Sequence, residues 1–253
     1  LEIGAENKRG QNRVILNVEF HADLSEVFRY LGYSNGCSNV GPKIDHLVEE
    51  AYAEVRKYSQ PRGIYRDFRL EILPESGFFL PEVNIYFKSG DLSNLWKDAE
   101  KITVIAATLG CGLDELVSDL LVSGQYTKAV IADAIGSAAA ESAIEQVNQI
   151  LKHRGAQEGR VPTPRFSPGY GDLPLEFQKE IISVLEANEI GIRITEGYML
   201  EPRKSVTAMV AWLKPSDLDN ICSEPFTSLG CDLCGYDSCK FRYKESRGKI
   251  EKG

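Results

Sequence analysis

The chain has 253 residues, 43% of them hydrophobic and 26% charged, with 29 Lys and Arg against 37 Asp and Glu for a net charge of −8. That is the stock of a folded chain with a real core. The acidic balance excludes a chain-wide electrostatic nucleic-acid binder, and no run of eighteen apolar residues is present to cross a membrane. No secretory signal opens the chain, although it starts at Leu1 rather than Met, so a cytoplasmic location is expected. Six cysteines are the odd feature: Cys37 and Cys111 are scattered, whereas Cys222, Cys231, Cys234 and Cys239 fall together near the end. A chain of this length needs no disulfides to hold its core, so the cluster calls for another explanation.

In chain order, residues 1–12 are polar and expected to fray. Residues 14–20 (Val14, Ile15, Leu16, Val18, Phe20) read as a strand, and Asp23 can cap a helix over 24–31. Residues 32–39 are loop chemistry, rich in Gly, Asn and Ser. After Pro42, the apolar residues Ile44, Leu47, Val48, Ala51, Tyr52 and Val55 recur at helical spacing. Strands are expected over 65–73 and 82–87, split by a turn at 74–77. Asp91 can cap a helix to 99. Residues 102–109 are nearly all apolar or β-branched, which suits a strand buried on both faces. Helices are expected over 113–122 and, after Gly124, from 126 to about 152. The small residues Gly136 to Ala140 in the longer helix allow another backbone, or a ligand, to come close, with tight core packing the first expectation.

Residues 154–168 read as a connector rich in Gly, Pro and charge. Asp172 and Pro174 then start a helix to 187. Strands are expected over 191–194 and 206–213, and periodicity ends at Lys214. Strands and helices mix without strict alternation, so the fold class is α+β rather than doubly wound. Trp96 and Trp212 read as core. His21, His46 and His153 are isolated, with no ligand pair at helical spacing. Arg66 and Asp67 should point to opposite faces of their strand, as solvated or weakly paired charges.

Two constellations could carry chemistry. The first is Arg165-Phe166-Ser167-Pro168-Gly169-Tyr170-Gly171-Asp172-Leu173-Pro174, a shaped loop before a helix start. It delivers a guanidinium, a phenol and backbone N–H groups to one place, and an Arg fork suits a carboxylate; a capped turn with an exposed Arg would look the same. The second is the tail spacing C-x8-C-x2-C-x4-C. A C-x2-C turn lets two thiolates converge on one metal, and four complete a tetrahedral or cluster site. A zinc ribbon usually shows two C-x2-C pairs and only one is present, so an iron–sulfur cluster is as good a fit as zinc. Beyond Cys239 the chain is basic: Lys240, Arg242, Lys244, Arg247, Lys249 and Lys252 against Glu245 and Glu251. That suits a solvated end, or docking to an acidic partner such as a flavodoxin. Walker, dinucleotide and nucleophile-elbow motifs are absent.

The first loop carries a resemblance. Arg165, Gly169 and Tyr170 match an R-x-x-x-G-Y pattern. Thr195, Glu196, Pro202, Ser205, Val206 and Thr207 follow in an order that is similar to the activation domain of cobalamin-dependent methionine synthase. Residues 107–110 and the helix from Asp133 to Glu141 fit the same family, and the likeness spans roughly 31–212, closest to its stand-alone members. The resemblance implies a curved, mainly antiparallel sheet with helices packed around it, and an S-adenosylmethionine site in a shallow groove. It implies that Arg165 holds the methionine carboxylate, that the Ser167 and Gly169 backbone lines the ligand, and that Tyr170 stands near the reacting methyl. Glu158 is the nearest candidate for an acidic residue the family places shortly before the Arg. A family Tyr after the last core strand has no counterpart among residues 215–219.

The resulting expectation is a chain in three parts: first elements at 1–30, an S-adenosylmethionine-binding domain at 31–213, and a Cys-rich metal or cluster tail at 214–253. Its expected role is a methyltransferase component supporting reductive methylation of cob(II)alamin. The cobalamin belongs to the partner, a corrinoid-binding methyltransferase or methionine synthase subunit, and a flavodoxin- or ferredoxin-type reductant supplies electrons. The alternative is a non-catalytic corrinoid-protein docking module with a structural zinc tail.

Overall fold

A computed structural model describes residues 5–7, 13–33, 41–74 and 76–215. Cys37 and the tail cysteines Cys222, Cys231, Cys234 and Cys239 lie outside the described residues. The centre is a six-stranded sheet in the order β1 (Ala5–Asn7), β2 (Arg13–Asn17), β3 (Arg62–Arg69), β7 (Lys101–Thr108), β11 (Ser205–Leu213), β8 (Val161–Pro162). Every neighbouring pair is antiparallel. A small antiparallel sheet orders β4 (Glu71–Leu73), β5 (Gly77–Leu80) and β6 (Ile85–Phe87), and β9 (Arg193–Ile194) pairs β10 (Leu200–Glu201). The class is α+β, with the main sheet curved and antiparallel as expected.

The run at 102–109 behaves as the period-two rule requires. Ile102, Val104 and Ala106 enter one core, while Ile105 and Ala107 enter the other. On the second of these faces lie α1 (Leu24–Tyr30), α2 (Pro42–Tyr58), α4 (Gly112–Val122) and the 33-residue α5 (Tyr126–Glu158). The opposite face carries α3 (Gly90–Leu95), α6 (Gln178–Leu185) and the aromatic core of the small sheet. Because β2 pairs β3 and α1 packs on α5, β2 and α1 share the sheet and core of the elements that follow. Trp96 and Trp212 are buried, as read from the sequence. Gly136 is where α5 meets α4: a Cβ there would lie 2.3 Å from Leu113 Cδ2. The small-residue stretch therefore serves packing.

Several elements differ from expectation, each for a physical reason. The strand at 14–20 stops at Asn17. The expected turn is present, with Ser76 N–H donating to Leu73 O (3.1 Å), but its last residue, Gly77 (φ +145°), already belongs to β5, and the Phe87 carbonyl passes over it. The helix expected from Asp91 is capped two residues earlier: Ser89 is the N-cap, and its hydroxyl accepts from Leu92 N–H at 3.0 Å. Helix α5 runs through Gly155 to Glu158 and ends at Gly159 in the left-handed region (φ +64°). The helix expected over 174–187 is split into a 3-10 turn (Leu175–Phe177), α6, and a second 3-10 turn (Ala187–Ile190).

Arg66 and Asp67 do point to opposite faces, but Asp67 is no weakly paired surface charge. It accepts hydrogen bonds from Thr103 Oγ1 (2.5 Å) and Arg154 Nη2 (2.9 Å) and pairs with Lys101 Nζ at 3.2 Å. Among the described residues no helix is long and apolar enough to cross a membrane.

Candidate functional site

The candidate loop begins as an edge on β11. Val161 and Pro162 pair with Leu213 and Trp212. Thr163 N–H donates to Ala211 O (2.8 Å), and Phe166 exchanges both backbone bonds with Met209 (2.9 and 2.8 Å). This extended run sets side-chain direction by alternation. Phe166 is buried with the core beneath α6. Its neighbour Arg165 reaches toward α5 instead, donating from Nη2 to Glu141 Oε2 at 3.3 Å, with Nε 3.8 Å from Glu145 Oε2. Ser167 Oγ donates to Thr207 O at 2.6 Å, tying the loop to β11.

Beyond Ser167 the chain leaves the sheet. Tyr170 N–H donates to Ser167 O (3.2 Å), Gly169 N–H to Leu173 O (2.9 Å), and Leu173 N–H to Tyr170 O (3.0 Å). Gly169 (φ +89°) and Gly171 (φ +52°) both take left-handed backbone, which a side chain would strain. Between them Tyr170 is 48% exposed, its ring edge-on to Phe166 with centroids 6.3 Å apart. Asp172 departs from expectation. It does not cap the helix that follows, whose 3-10 start at Leu175 has no side-chain cap. Its carboxylate turns instead to the start of α3.

Helix α5 supplies the other wall. Asp133, Ser137, Glu141 and Glu145 recur every four residues and so share one face. Lys204 Nζ sits 2.8 Å from Asp133 Oδ1 and donates to Ser137 Oγ at 2.9 Å. Lys152 Nζ bonds Glu145 at 3.0 Å. Burial pushes the Glu145 carboxyl up, but hydrogen bonds from Lys152 and Asn148, with the charges of Lys152 and Arg165, outweigh it and hold the group below the usual carboxylate range. Burial raises the Tyr30 phenol, and the nearby Glu141 charge raises it further, which sets the end of α1 beside the same stripe.

Of the residues singled out from the sequence, Arg165, Ser167, Gly169 and Tyr170 form one continuous feature. Glu158 does not join them. It lies thirteen residues beyond Glu145 on the same helix, roughly 20 Å away at 1.5 Å per residue, and pairs with Lys101 (3.7 Å) and Arg154 (3.9 Å). The carboxylates that meet Arg165 are Glu141 and Glu145. Their four-residue spacing with Ser137 and Asp133 was the one signal in the sequence that could have found them. Among the described residues no group of His, Cys, Asp and Glu could hold a metal ion.

No protein-family model matches the chain, and no curated protein matches it. Solved structures do. The chain shares its fold with the MetH reactivation domain. The match is to that domain's crystal structure bound to AdoHcy, with a TM-score of 0.61 and 16% identity over 80% of this chain and 79% of that one. At that identity the likeness is one of fold: the curved antiparallel sheet and the helices over it.

Proposed function

We propose that this chain binds S-adenosylmethionine between the Arg165–Tyr170 loop and α5, and acts as the reactivation component of a corrinoid-dependent methyltransferase. One observation carries the reading. The chain's R-x-x-x-G-Y loop sits on the edge of a sheet whose fold matches a domain solved with AdoHcy, the demethylated form of that ligand.

The donor set fits the methionine end of such a ligand. An α-amino acid head carries a carboxylate and an ammonium group side by side. Arg165 offers a fork for the first, and Glu141, half exposed beside it, offers a carboxylate for the second. Glu145 adds negative charge next to a cationic sulfonium. Ser167 and Gly169 would line the ligand with backbone, and Tyr170 would stand at the rim near the methyl group. Glu158 has no place in this arrangement. When bound, S-adenosylmethionine supplies an electrophilic methyl group. With one electron from a flavodoxin- or ferredoxin-type donor, that is what a cob(II)alamin on a partner needs to regain its methylated form. The chain's own contribution is binding and orientation, which require no general acid–base pair. The spacing of Cys222, Cys231, Cys234 and Cys239 supports an iron–sulfur cluster or zinc on these four thiolates.

Calorimetric titration with S-adenosylmethionine and AdoHcy tests the site. The wild-type chain should bind both. Arg165→Ala should weaken binding by about 1.5–3 kcal/mol, the range for a hydrogen bond to a charged group. No binding by the wild type, or equal binding by the variant, overturns the site. Labelled methyl transfer to a cob(II)alamin-loaded carrier under reductant then tests the role. Binding without transfer favours the docking-module alternative.

A further inference from the structure

We infer that Asp172 is a positioning residue: it clamps the Gly169–Gly171 turn to the first turn of α3 and thereby fixes where Tyr170 stands. The functional part of this inference rests on the S-adenosylmethionine reading above; the clamp itself does not.

Asp172 makes three contacts across 81 to 83 residues of sequence. Oδ1 accepts from Ser89 Oγ at 2.5 Å, and Oδ2 accepts from Gly90 N–H at 2.7 Å and Asp91 N–H at 3.2 Å. The first N–H groups of a helix have no partner within it, and they carry partial positive charge. A carboxylate satisfies them more strongly than a neutral acceptor. Ser89 is almost fully buried and serves twice, since its hydroxyl also accepts from Leu92 N–H. The approach is close. A Cβ on Gly171 would lie 2.9 Å from Asp91 Oδ2 and 3.2 Å from Phe166 Cζ, and the left-handed φ of the turn is what calls for glycine.

Helix α3 is itself immobilised. Leu92 and Trp96 are fully buried. The Trp96 ring lies 5.1 Å from Phe78, which stacks on Phe87 at 4.8 Å. The aromatic core of β5 and β6 thus holds α3, α3 holds Asp172, and Asp172 holds the turn. This gives the small sheet a task at the candidate site. On its other side the turn is tied to β11 through Ser167, so Tyr170 is fixed from two directions. Tyr170 is half exposed and adds little to the core, so a clamp here acts more on position than on stability. Position matters at such a site, because a shift of about 1 Å in a group near reacting atoms can cost on the order of a hundredfold in rate.

The test uses the intact chain, with fluorotyrosine at Tyr170 followed by fluorine NMR and amide hydrogen exchange over 169–173. Asp172→Ala should broaden the Tyr170 signal, speed exchange at least tenfold, and weaken S-adenosylmethionine binding at least tenfold. Asp172→Asn keeps one acceptor oxygen and should recover part of each effect. Ser89→Ala removes one donor to Asp172 together with the acceptor for Leu92 N–H, and reports on the clamp if Asp172→Ala folds poorly. An unchanged signal and exchange rate in both Asp172→Ala and Ser89→Ala overturn the clamp. A loosened turn with affinity within twofold of wild type overturns the positioning role. If the wild type binds no S-adenosylmethionine, the ligand reading fails, while the fluorine and exchange data still decide the clamp.

Discussion

Replacing Asp67 should test how much of this fold depends on one partly buried ionic hub. Its side chain is 16% exposed and takes hydrogen bonds from Thr103 Oγ1 at 2.5 Å and Arg154 Nη2 at 2.9 Å, with Lys101 Nζ at 3.2 Å. Thr103 Oγ1 accepts in turn from Trp212 Nε1 at 2.7 Å. The Arg154 guanidinium lies over the rings of Tyr65 (5.2 Å) and Trp212 (4.8 Å), so it cannot swing to water without giving up both faces. Asp67→Ala leaves that cation largely buried, with Glu158 3.9 Å from Nε. Hydrogen bonds to a charged group contribute roughly 1.5–3 kcal/mol, and stranding one partner of a buried pair costs about 3–5 kcal/mol. Partial exposure of Arg154 and Lys101 places the expected loss near the lower end, at about 3 kcal/mol, read by urea unfolding at fixed pH. Arg154→Met keeps the apolar stem between the rings and removes the charge. In the double variant the two losses should overlap by about 1–2 kcal/mol. Losses that simply add, or an Asp67→Ala loss under about 0.5 kcal/mol, would refute the hub.

Two further outcomes follow from packing and charge. Gly155→Ala should destabilise the chain by about 1–2 kcal/mol, because the new Cβ would lie 2.5 Å from Trp212 Cζ3 and 2.6 Å from the Arg160 carbonyl, a clash that outweighs the gain of up to about 1 kcal/mol in helix propensity; unchanged or raised stability in urea would contradict it. Glu145 has a lowered folded-state pKa, so its contribution is present above the unfolded value near 4.5 and is lost as pH falls through the folded one. Stability measured from pH 5 down to 3 should therefore fall less steeply in Glu145→Gln than in wild type, and parallel curves would show that the carboxylate is not held by its partners.

The parts legible in the sequence were those decided by neighbours in the chain. The period-two run at 102–109 became a strand buried on both faces, and the helical spacing from Ile44 to Val55 became α2. Arg165, Gly169 and Tyr170 were legible because a turn demands its glycines locally. What was hidden depends on an atom far away in sequence. Gly77 reads as a turn residue until the Phe87 carbonyl that passes over it is known, and Gly155 reads as a helix breaker until Trp212 is seen against it. Both glycines are there for space, and space is a property of the partner.

The same distinction separates the site's chemistry from its supports. A guanidinium in a Gly-rich loop announces that it can hold an anion, but not which carboxylates of the chain stand beside it. Glu158 is near Arg165 in sequence, yet the helix carries it about 20 Å away from Glu145. On one helix face, every fourth residue back from Glu145, stand Glu141 and Ser137, on the side of α5 that Arg165 and Lys204 reach. Asp172 follows neither pattern. Its sequence position before Pro174 suits a local cap, and only the third dimension gives it the orphan N–H groups of Gly90 and Asp91. Residue type thus predicts which interaction a side chain can make, and periodicity predicts which face it leaves from. The identity of the partner is set by the sheet, which brings the strands that start at residues 62, 101 and 205 into antiparallel register.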